Sequence, residues 1–504
     1  MKPTTHTQPK STVRKASNAK RALAASECFE PVSPVFQPAG RARGISHAGV
    51  PLVSFMLRKL HFADTIAGAL SFFKTRRGYS EADHVVNLAL NPLFGGMTLD
   101  DIGKQRNDEA LLNAINARSL PHPTTAGDFC RRFSTADIDA LQEAINAVRI
   151  KVWKAQPASF FEVARIDADG VFVPTSAECA EGVDYSGHKK DWGYHPLVVS
   201  LAQTQEPLFL VNRSGARPSH EGAHLYLDKA IALCRRAGFR SVLLRGDTDF
   251  SQTKFLDDWH DEGVHFAFGI DAMPNLIAIA QDDDLEWKLL SRHTRPVEEE
   301  EERARPHRHK LDRIIEREFR HLELEREEVS EFDYTPTACK RPYRVVVVRK
   351  TIRVTKGSEM LAPEVRFFFY ITNLSALAYD GKSVVAEARQ RCNQENLNSH
   401  LKSGVQALRS PLGTLASNWA YMVMTALGWS FKAWVALLSC SSEGSSEGKA
   451  MKERLLTMEF RTFLRNFVEI PCLVLTTGRR LVLRLLGESC WTPHFLRIAA
   501  HLRE

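Results

Sequence analysis

Two acidic segments stand where carboxylates could hold a metal ion. Asp167 and Asp169 close the apolar segment Val163–Asp169, and the alternation of side chains along a strand puts both acids on the same face. Asp247 follows a second apolar segment, Ser241–Leu244. If the two segments are neighbouring strands, their acids meet at one edge of a sheet, where carboxylate oxygens suit Mg²⁺ or Mn²⁺. Either segment taken alone is more typical of a turn or a helix N-cap.

A third acidic position, Glu395, lies in a segment with helical periodicity. Arg391, Glu395 and Lys402 stand at i, i+4 and i+11, so all three can share one face of a helix. Cations on the same face as a metal-binding acid would suit contacts with DNA phosphates. The alternative is an ordinary ion pair on a helix surface.

Apolar segments predict the sheet that must position these acids. Strand-like segments occur at 163–169, 196–201, 207–211, 241–244 and 264–268, and helical periodicity separates the last three. Short links allow the first three strands to be antiparallel neighbours, whereas helices join the later ones. The order β-β-β-α-β-α-β predicts an RNase H-like mixed sheet in an α/β protein.

Changes of composition divide the chain into six predicted parts. They are a flexible basic arm at 1–45, a helical domain at 46–158, the first part of the catalytic core at 159–275, a β-rich insertion at 276–372, the last part of the core with the Glu395 helix at 373–438, and a helical region at 449–504. The sheet is thus expected to lie between all-helical N- and C-terminal regions. The apolar stretch 420–440 is broken by Ser430 and Lys432, which favours a core helix over a membrane span.

The charge distribution favours a polyanionic partner. The net charge is +7, and residues 1–45 hold eight Lys or Arg against two Glu, a local balance of 8 − 2 = +6. Such basic surface is typical of nucleic-acid binding, although a solvated tail is the simpler alternative. The nine cysteines lack Cys-x-x-Cys spacing and the N-terminus lacks an apolar signal segment, so we expect a cytoplasmic protein with reduced thiols and no zinc site.

Two further basic clusters are candidates for DNA binding. Lys189 and Lys190 precede Trp192, and this cluster could grip phosphates or stack on an unpaired base. Its aromatic residues could equally be anchors in the core. Arg213 and Arg217 precede a predicted helix, where DNA contact would explain the arginines and an N-cap explains part of the pattern.

The motifs resemble those of the DDE transposases of bacterial insertion sequences, in particular the insertion-sequence family numbered thirteen-eighty. The wider group carries its third acid in a Tyr-(2)-Arg-(3)-Glu-(6)-Lys signature, which here reads Ala388, Arg391, Glu395 and Lys402. Three of the four positions match, and Ala388 departs from the pattern. The likeness runs from about residue 49 to residue 434. Other similar stretches are Glu181–Pro196, Asn212–Gly222, Arg245–Ser251 and Ser417–Tyr421.

The resemblance implies that Asp169, Asp247 and Glu395 hold two Mg²⁺ ions, for which Mn²⁺ substitutes. The family's first motif resembles Asp-x-Thr with the acid leading, which favours Asp169 over Asp167, and its second favours Asp247 over Asp249. The implied protein binds double-stranded DNA at terminal inverted repeats, cleaves the ends and joins the 3′-OH to target DNA as a homodimer at the bacterial nucleoid. The alternatives are a metal-dependent nuclease on the same fold and an inactive DNA-binding repressor.

Overall fold

A nine-stranded mixed sheet and the helices packed on it form the core of the protein. The computed structural model of the chain describes residues 43–73, 78–290, 309–439, 446–477 and 480–503. Most of the predicted N-terminal arm, residues 1–42, lies outside the described residues. The end of that arm forms a short strand, β1 (Gly44–Ile45).

Helices fill the chain between β1 and the central sheet. They are α1 (Gly49–Lys59), α2 (Phe62–Ala69), α3 (Glu81–Leu90), α4 (Ile102–Gln105), α5 (Glu109–Ile115), α6 (Pro123–Cys130) and α7 (Thr135–Lys154). Capping boxes at Ser80 and Ser134 begin α3 and α7 by satisfying backbone N–H groups that have no partner within the helix. The long helix α7 buries a stripe that includes Ile138, Leu141 and Ile145, as its apolar spacing predicts.

Five strands of the central sheet reproduce the predicted RNase H-like order. The elements of this part are β2 (Val163–Gly170), β3 (Val173–Pro174), β4 (Asp184–Ser186), β5 (Asp191–Tyr194), β6 (Leu197–Leu201), β7 (Glu206–Val211), α8 (Ala223–Ala237), β8 (Ser241–Gly246), α9 (Leu256–Asp261), β9 (His265–Ile270) and α10 (Pro274–Ala280). In space the order is β7-β6-β2-β8-β9. Strand β2 pairs antiparallel with β6 and parallel with β8, and β9 is parallel to β8.

The predicted insertion is β-rich, but its strands extend the core sheet. It contains β10 (Lys288–Leu289), α11 (His309–Glu316), β11 (Arg320–Tyr334), β12 (Tyr343–Lys356) and β13 (Glu359–Thr372). The end of β13, Phe369–Thr372, pairs antiparallel with β9, so the hydrogen-bonded ladder continues from the core into the insertion. The acidic run from Glu298 to Glu302 lies outside the described residues.

The predicted Glu395 helix is divided in two by a break at Arg391. Helix α12 (Gly381–Gln390) ends there, α13 (Cys392–Ser399) follows, and a π-helical turn (His400–Gly404) continues α13. Helix α14 (Leu415–Leu438) is long and apolar enough to cross a membrane, but 94% of its most apolar window is buried inside the protein. It is therefore the core helix that the sequence predicts.

The C-terminal region corrects the prediction of an all-helical end. It contains α15 (Ser446–Thr457), α16 (Phe460–Phe463), a π-helical turn (Leu464–Val468), β14 (Cys472–Thr477), β15 (Arg480–Leu485) and α17 (Thr492–His501). Strands β14 and β15 form a hairpin, and β1 pairs with the other edge of β14. The third strand thus comes from the opposite end of the sequence, where no local pattern could indicate the pairing.

Candidate active site

Asp169 and Asp247 lie at the same edge of the sheet because β2 and β8 are parallel neighbours. Asp169 is the penultimate residue of β2, and Asp247 directly follows β8. The Asp247 carboxylate accepts a hydrogen bond from the Asp249 N–H at 3.1 Å, which caps the short 3₁₀ helix Thr248–Phe250. Gly246 permits this sharp turn, since a Cβ there would lie 2.6 Å from that of Phe250.

Glu395 reaches the same edge from α13, and Arg391 lies between it and Asp247. The Arg391 guanidinium is 3.9 Å from Asp247 Oδ2 and 4.0 Å from Glu395 Oε1. Its side chain is only 16% exposed, whereas that of Glu395 is 68% exposed. The structure therefore brings the three predicted acids around one cation, with Glu395 on the solvent side.

The electrostatics of the acids show that they are close to one another. Burial raises the pKa of Asp169 to about 6, and Arg391 opposes this shift while Asp247 and Glu395 add to it. Burial likewise raises the pKa of Asp247; Arg391 opposes this shift, while Asp249 and, to a smaller extent, Glu395 add to it. The neighbouring carboxylates disfavour the ionisation of Asp169 and Asp247, so further positive charge at this edge would stabilise both ionised aspartates.

Asp167, the alternative to Asp169, forms a buried ion pair in the core. It stands opposite Arg245 in the parallel register of β2 and β8. Arg245 Nε and Nη2 donate to the two Asp167 oxygens at 2.7 and 2.8 Å, and both side chains are almost fully buried. Glu387 of α12 accepts from Arg245 at 3.3 Å and also pairs with Arg165 at 2.8 Å. Both oxygens of Asp167 are therefore committed to the fold.

The acids fit a hard divalent ion in chemistry and in charge. Asp169 and Asp247 offer carboxylate oxygens at one edge, where burial raises the pKa of both, so a bound cation would stabilise their ionised forms. Within the described residues, however, no three His, Cys, Asp or Glu side chains converge closely enough to surround an ion. Glu395 is more exposed than Asp247, with 68% of its side chain accessible to solvent against 37%.

Of the three predicted DNA-binding lysines, one lies just beyond the end of β2 and two lie in the turn between β4 and β5. Lys402, in the π-helical turn after α13, approaches the carbonyl of Phe172 just beyond β2, with 3.5 Å between Nζ and the oxygen. Lys189 and Lys190 are exposed in the turn between β4 and β5. The charge of Lys189 acts on His195, whose Nε2 faces Gly170 beside Asp169.

The two predicted arginines differ in their surroundings. Arg213 donates to the backbone carbonyls of His195, Pro218, Ser219 and Glu221 at 2.8 to 3.3 Å, and burial lowers its pKa to about 10. It thus holds the loop before α8 together. Arg217 is 58% exposed and pairs with Glu221 at 2.8 Å, so it is the more accessible of the two.

A row of buried amides beside Asp169 was not predicted. Asn398 Nδ2 donates to Asp169 Oδ2 at 2.7 Å, and Gln394 lies one turn earlier on α13. Asn398 follows Glu395 by three residues, so helical spacing could have placed it on the same side of the helix. An amide at that spacing is too common a feature to have been singled out.

Acids at the ends of adjacent central strands of an RNase H-like sheet are typical of metal-dependent enzymes that act on nucleic acids. Residues 40–504 match the family described as "Transposase DDE domain group 1", and the chain belongs to this family. Members of the family are transposition enzymes that generally use divalent metal ions.

Among solved structures, a transposase complex is similar to most of the chain. It is the piggyBac transposase in a cryo-EM structure of its synaptic complex with hairpin DNA, at 10% sequence identity and a TM-score of 0.36. The similarity covers 84% of this chain and 81% of that one. No curated protein matches the sequence significantly. Because the structural similarity is loose, the family assignment depends on the sequence match.

Proposed function

We propose that this chain is the transposase of an insertion sequence, of the family numbered thirteen-eighty. It binds the terminal inverted repeats of its own element, hydrolyses the DNA at the ends and joins the 3′-OH to target DNA. The observation that carries the proposal is that Asp169 and Asp247 end adjacent parallel strands, with Arg391 between Asp247 and Glu395. Membership of a transposase family supports the same class of reaction.

We assign two divalent ions, Mg²⁺ or Mn²⁺, to these three acids. Such a pair, when bound, activates a water or a 3′-hydroxyl and stabilises the leaving oxygen of an in-line displacement at phosphorus. Asp169 and Asp247 provide ligands from rigid strand ends, and Glu395 provides the third from a helix. Arg391 balances part of the acidic charge and is available for a phosphate of the bound strand.

The exposed cations around the acids form the proposed DNA surface. Lys402 contacts the chain just beyond β2, Lys189 and Lys190 lie in the turn between β4 and β5, and Arg217 lies on the loop that contacts His195. Trp192, 54% exposed beside the two lysines, offers a face on which an unpaired base could stack. Two ends must be brought together before joining, so we expect a homodimer in the complex with DNA.

The experiment is cleavage of a labelled duplex that carries the element's own end, in Mg²⁺. We expect wild type to cut at the end and Glu395→Gln to bind the duplex without cutting, because Gln keeps the shape and removes the charge. Glu453→Gln is the matched control, since Glu453 is an exposed glutamate on α15, outside the candidate site, and it should still cut. Equal cutting by the Glu395 variant would refute the assignment.

A second substrate separates transposition from the alternatives. Pre-cut ends with a free 3′-OH are mixed with a target plasmid, and joined products are counted. A nuclease on the same fold would hydrolyse DNA and yield no joined product. A repressor would bind the ends and yield neither cleavage nor joining.

A further inference from the structure

We propose that Asn398 is a positioning residue for Asp169: its amide holds one carboxylate oxygen and leaves the other for the metal ion. The inference depends on the proposed function, since it concerns the same site. Asn398 Nδ2 donates to Asp169 Oδ2 at 2.7 Å, and Asn398 is only 8% exposed. A short bond from a buried amide to a carboxylate is charge-assisted and stronger than a bond between neutral groups.

Gln394 determines which way the Asn398 amide faces. Gln394 is 2% exposed, and its Nε2 lies 3.4 Å from both Asn398 Oδ1 and the carbonyl oxygen of Val198. Its own Oε1 accepts a hydrogen bond from the Ser200 hydroxyl. Since Asn398 Oδ1 lies against the donor group of Gln394, its Nδ2 must point to Asp169. The four side chains form one directed chain of hydrogen bonds, from Ser200 to Asp169.

The same two amides set the position of α13 along the sheet. Val198 and Ser200 stand on β6, opposite Asp169 and Asp167 of β2. Gln394 therefore hydrogen-bonds the first turn of α13 to β6, and Asn398 hydrogen-bonds its second turn to β2. Glu395 follows Gln394 directly, and its nearest charged partner is Arg391 at 4.0 Å. The amides thus place Asp169 and Glu395 relative to each other.

Residues that orient metal ligands have a measurable effect on the affinity for the metal ion. Loss of such a partner typically weakens metal affinity 10- to 100-fold while the ligands remain present. An Asn398 that served only helix packing would change stability and leave metal affinity unaltered. Metal binding in the absence of DNA therefore distinguishes the two roles without any measurement of catalysis.

The test is titration of the full-length, metal-free protein with Mn²⁺ by calorimetry, without DNA. We expect Asn398→Ala and Asn398→Leu to bind Mn²⁺ at least 10-fold more weakly than wild type. Leu has the same branched heavy-atom skeleton as Asn, so it leaves no cavity if the Ala variant folds poorly. Asn396→Ala is the control, because Asn396 is exposed on the same helix, and it should bind as wild type does.

A double-mutant cycle with Asp169→Asn completes the test. If Asn398 acts through Asp169, Asn398→Ala should cause no further loss of Mn²⁺ affinity in the Asp169→Asn background. Equal Mn²⁺ affinity of wild type and both Asn398 variants would overturn the inference and leave the proposed function intact. Absence of Mn²⁺ binding by wild type, or binding that survives Asp169→Asn and Glu395→Gln together, would overturn the metal site itself.

Discussion

The same Asp→Asn change at two positions of β2 should have opposite effects on stability. Asp167 is paired with a guanidinium that is itself buried, at 2.7 Å, so Asp167→Asn leaves Arg245 with a charge and one fewer counter-ion. Removing one partner of a buried ion pair typically costs about 3 to 5 kcal/mol. Glu387 stays 3.3 Å from Arg245, so we expect the lower end, a loss of about 3 kcal/mol.

Asp169→Asn should stabilise the metal-free protein. The pKa of Asp169 is raised to about 6 in the folded protein, from 3.8, so its ionisation opposes folding above about pH 6. At pH 7 this corresponds to about 3 kcal/mol, which solvent screening of a partly exposed site reduces to about 1 to 2 kcal/mol. The gain should shrink as the pH falls from about 6 towards 3.8, where the folded protein already holds the proton.

Urea denaturation followed by circular dichroism at pH 7, in EDTA and in MgCl₂, measures both effects. Mg²⁺ should stabilise wild type, because the ion binds the folded state, and should stabilise Asp169→Asn much less. The reasoning is refuted if Asp167→Asn is stabilising, or if it abolishes the effect of Mg²⁺ while Asp169→Asn does not. Either result would make Asp167 the metal ligand and Asp169 its structural neighbour.

Two buried charges far from the acids give further predictions. Burial lowers the pKa of Lys432 to about 7, so the unfolded chain binds more protons than the folded protein between about pH 7 and 10. The free energy of unfolding should rise across that range, and Lys432→Met should flatten the rise in urea denaturation. Glu206→Gln should cost about 3 to 5 kcal/mol in the same assay, because Glu206 is the buried counter-ion of Arg149 at 2.9 Å.

Most of the core sheet could be predicted because each strand carries its own signal. The segments at β2, β6, β7, β8 and β9 are apolar and short, as expected for strands buried on both faces. The small strands β3 to β5 were missed, since segments such as Asp184–Ser186 are too short and polar to show a period. The hairpin β14–β15 is local, but its apolar segments were interpreted as helical. The pairing of β1 with β14 could not be predicted, because β1 comes from the far end of the chain.

Local spacing in the sequence predicts which residues share a face of a strand or helix, but not which residues of neighbouring strands contact them. Alternation places Asp167 and Asp169 on one face of β2, so it cannot choose between them. The choice depends on Arg245, which stands opposite Asp167 only because of the register between β2 and β8. Arg213 shows the same limit: its basic charge suggested DNA, whereas the fold commits its guanidinium to backbone carbonyls.

The charges around the site predict how many metal ions the protein binds by itself. Asp167 and Glu387 are balanced by Arg245 and Arg165. Among the proposed ligands, that leaves Asp169, Asp247 and Glu395 with Arg391 as their cation, three negative charges against one positive, a net charge of −2. Asp249 also acts on Asp247, but it is exposed, so solvent screens its charge. One divalent ion brings the net charge of the site to zero. A second ion would make the site positive unless DNA phosphates add negative charge. Calorimetric titration should therefore give one Mn²⁺ per chain without DNA and two with a bound, uncleavable duplex end. Two ions of similar affinity without DNA would show that acids outside this set share the charge.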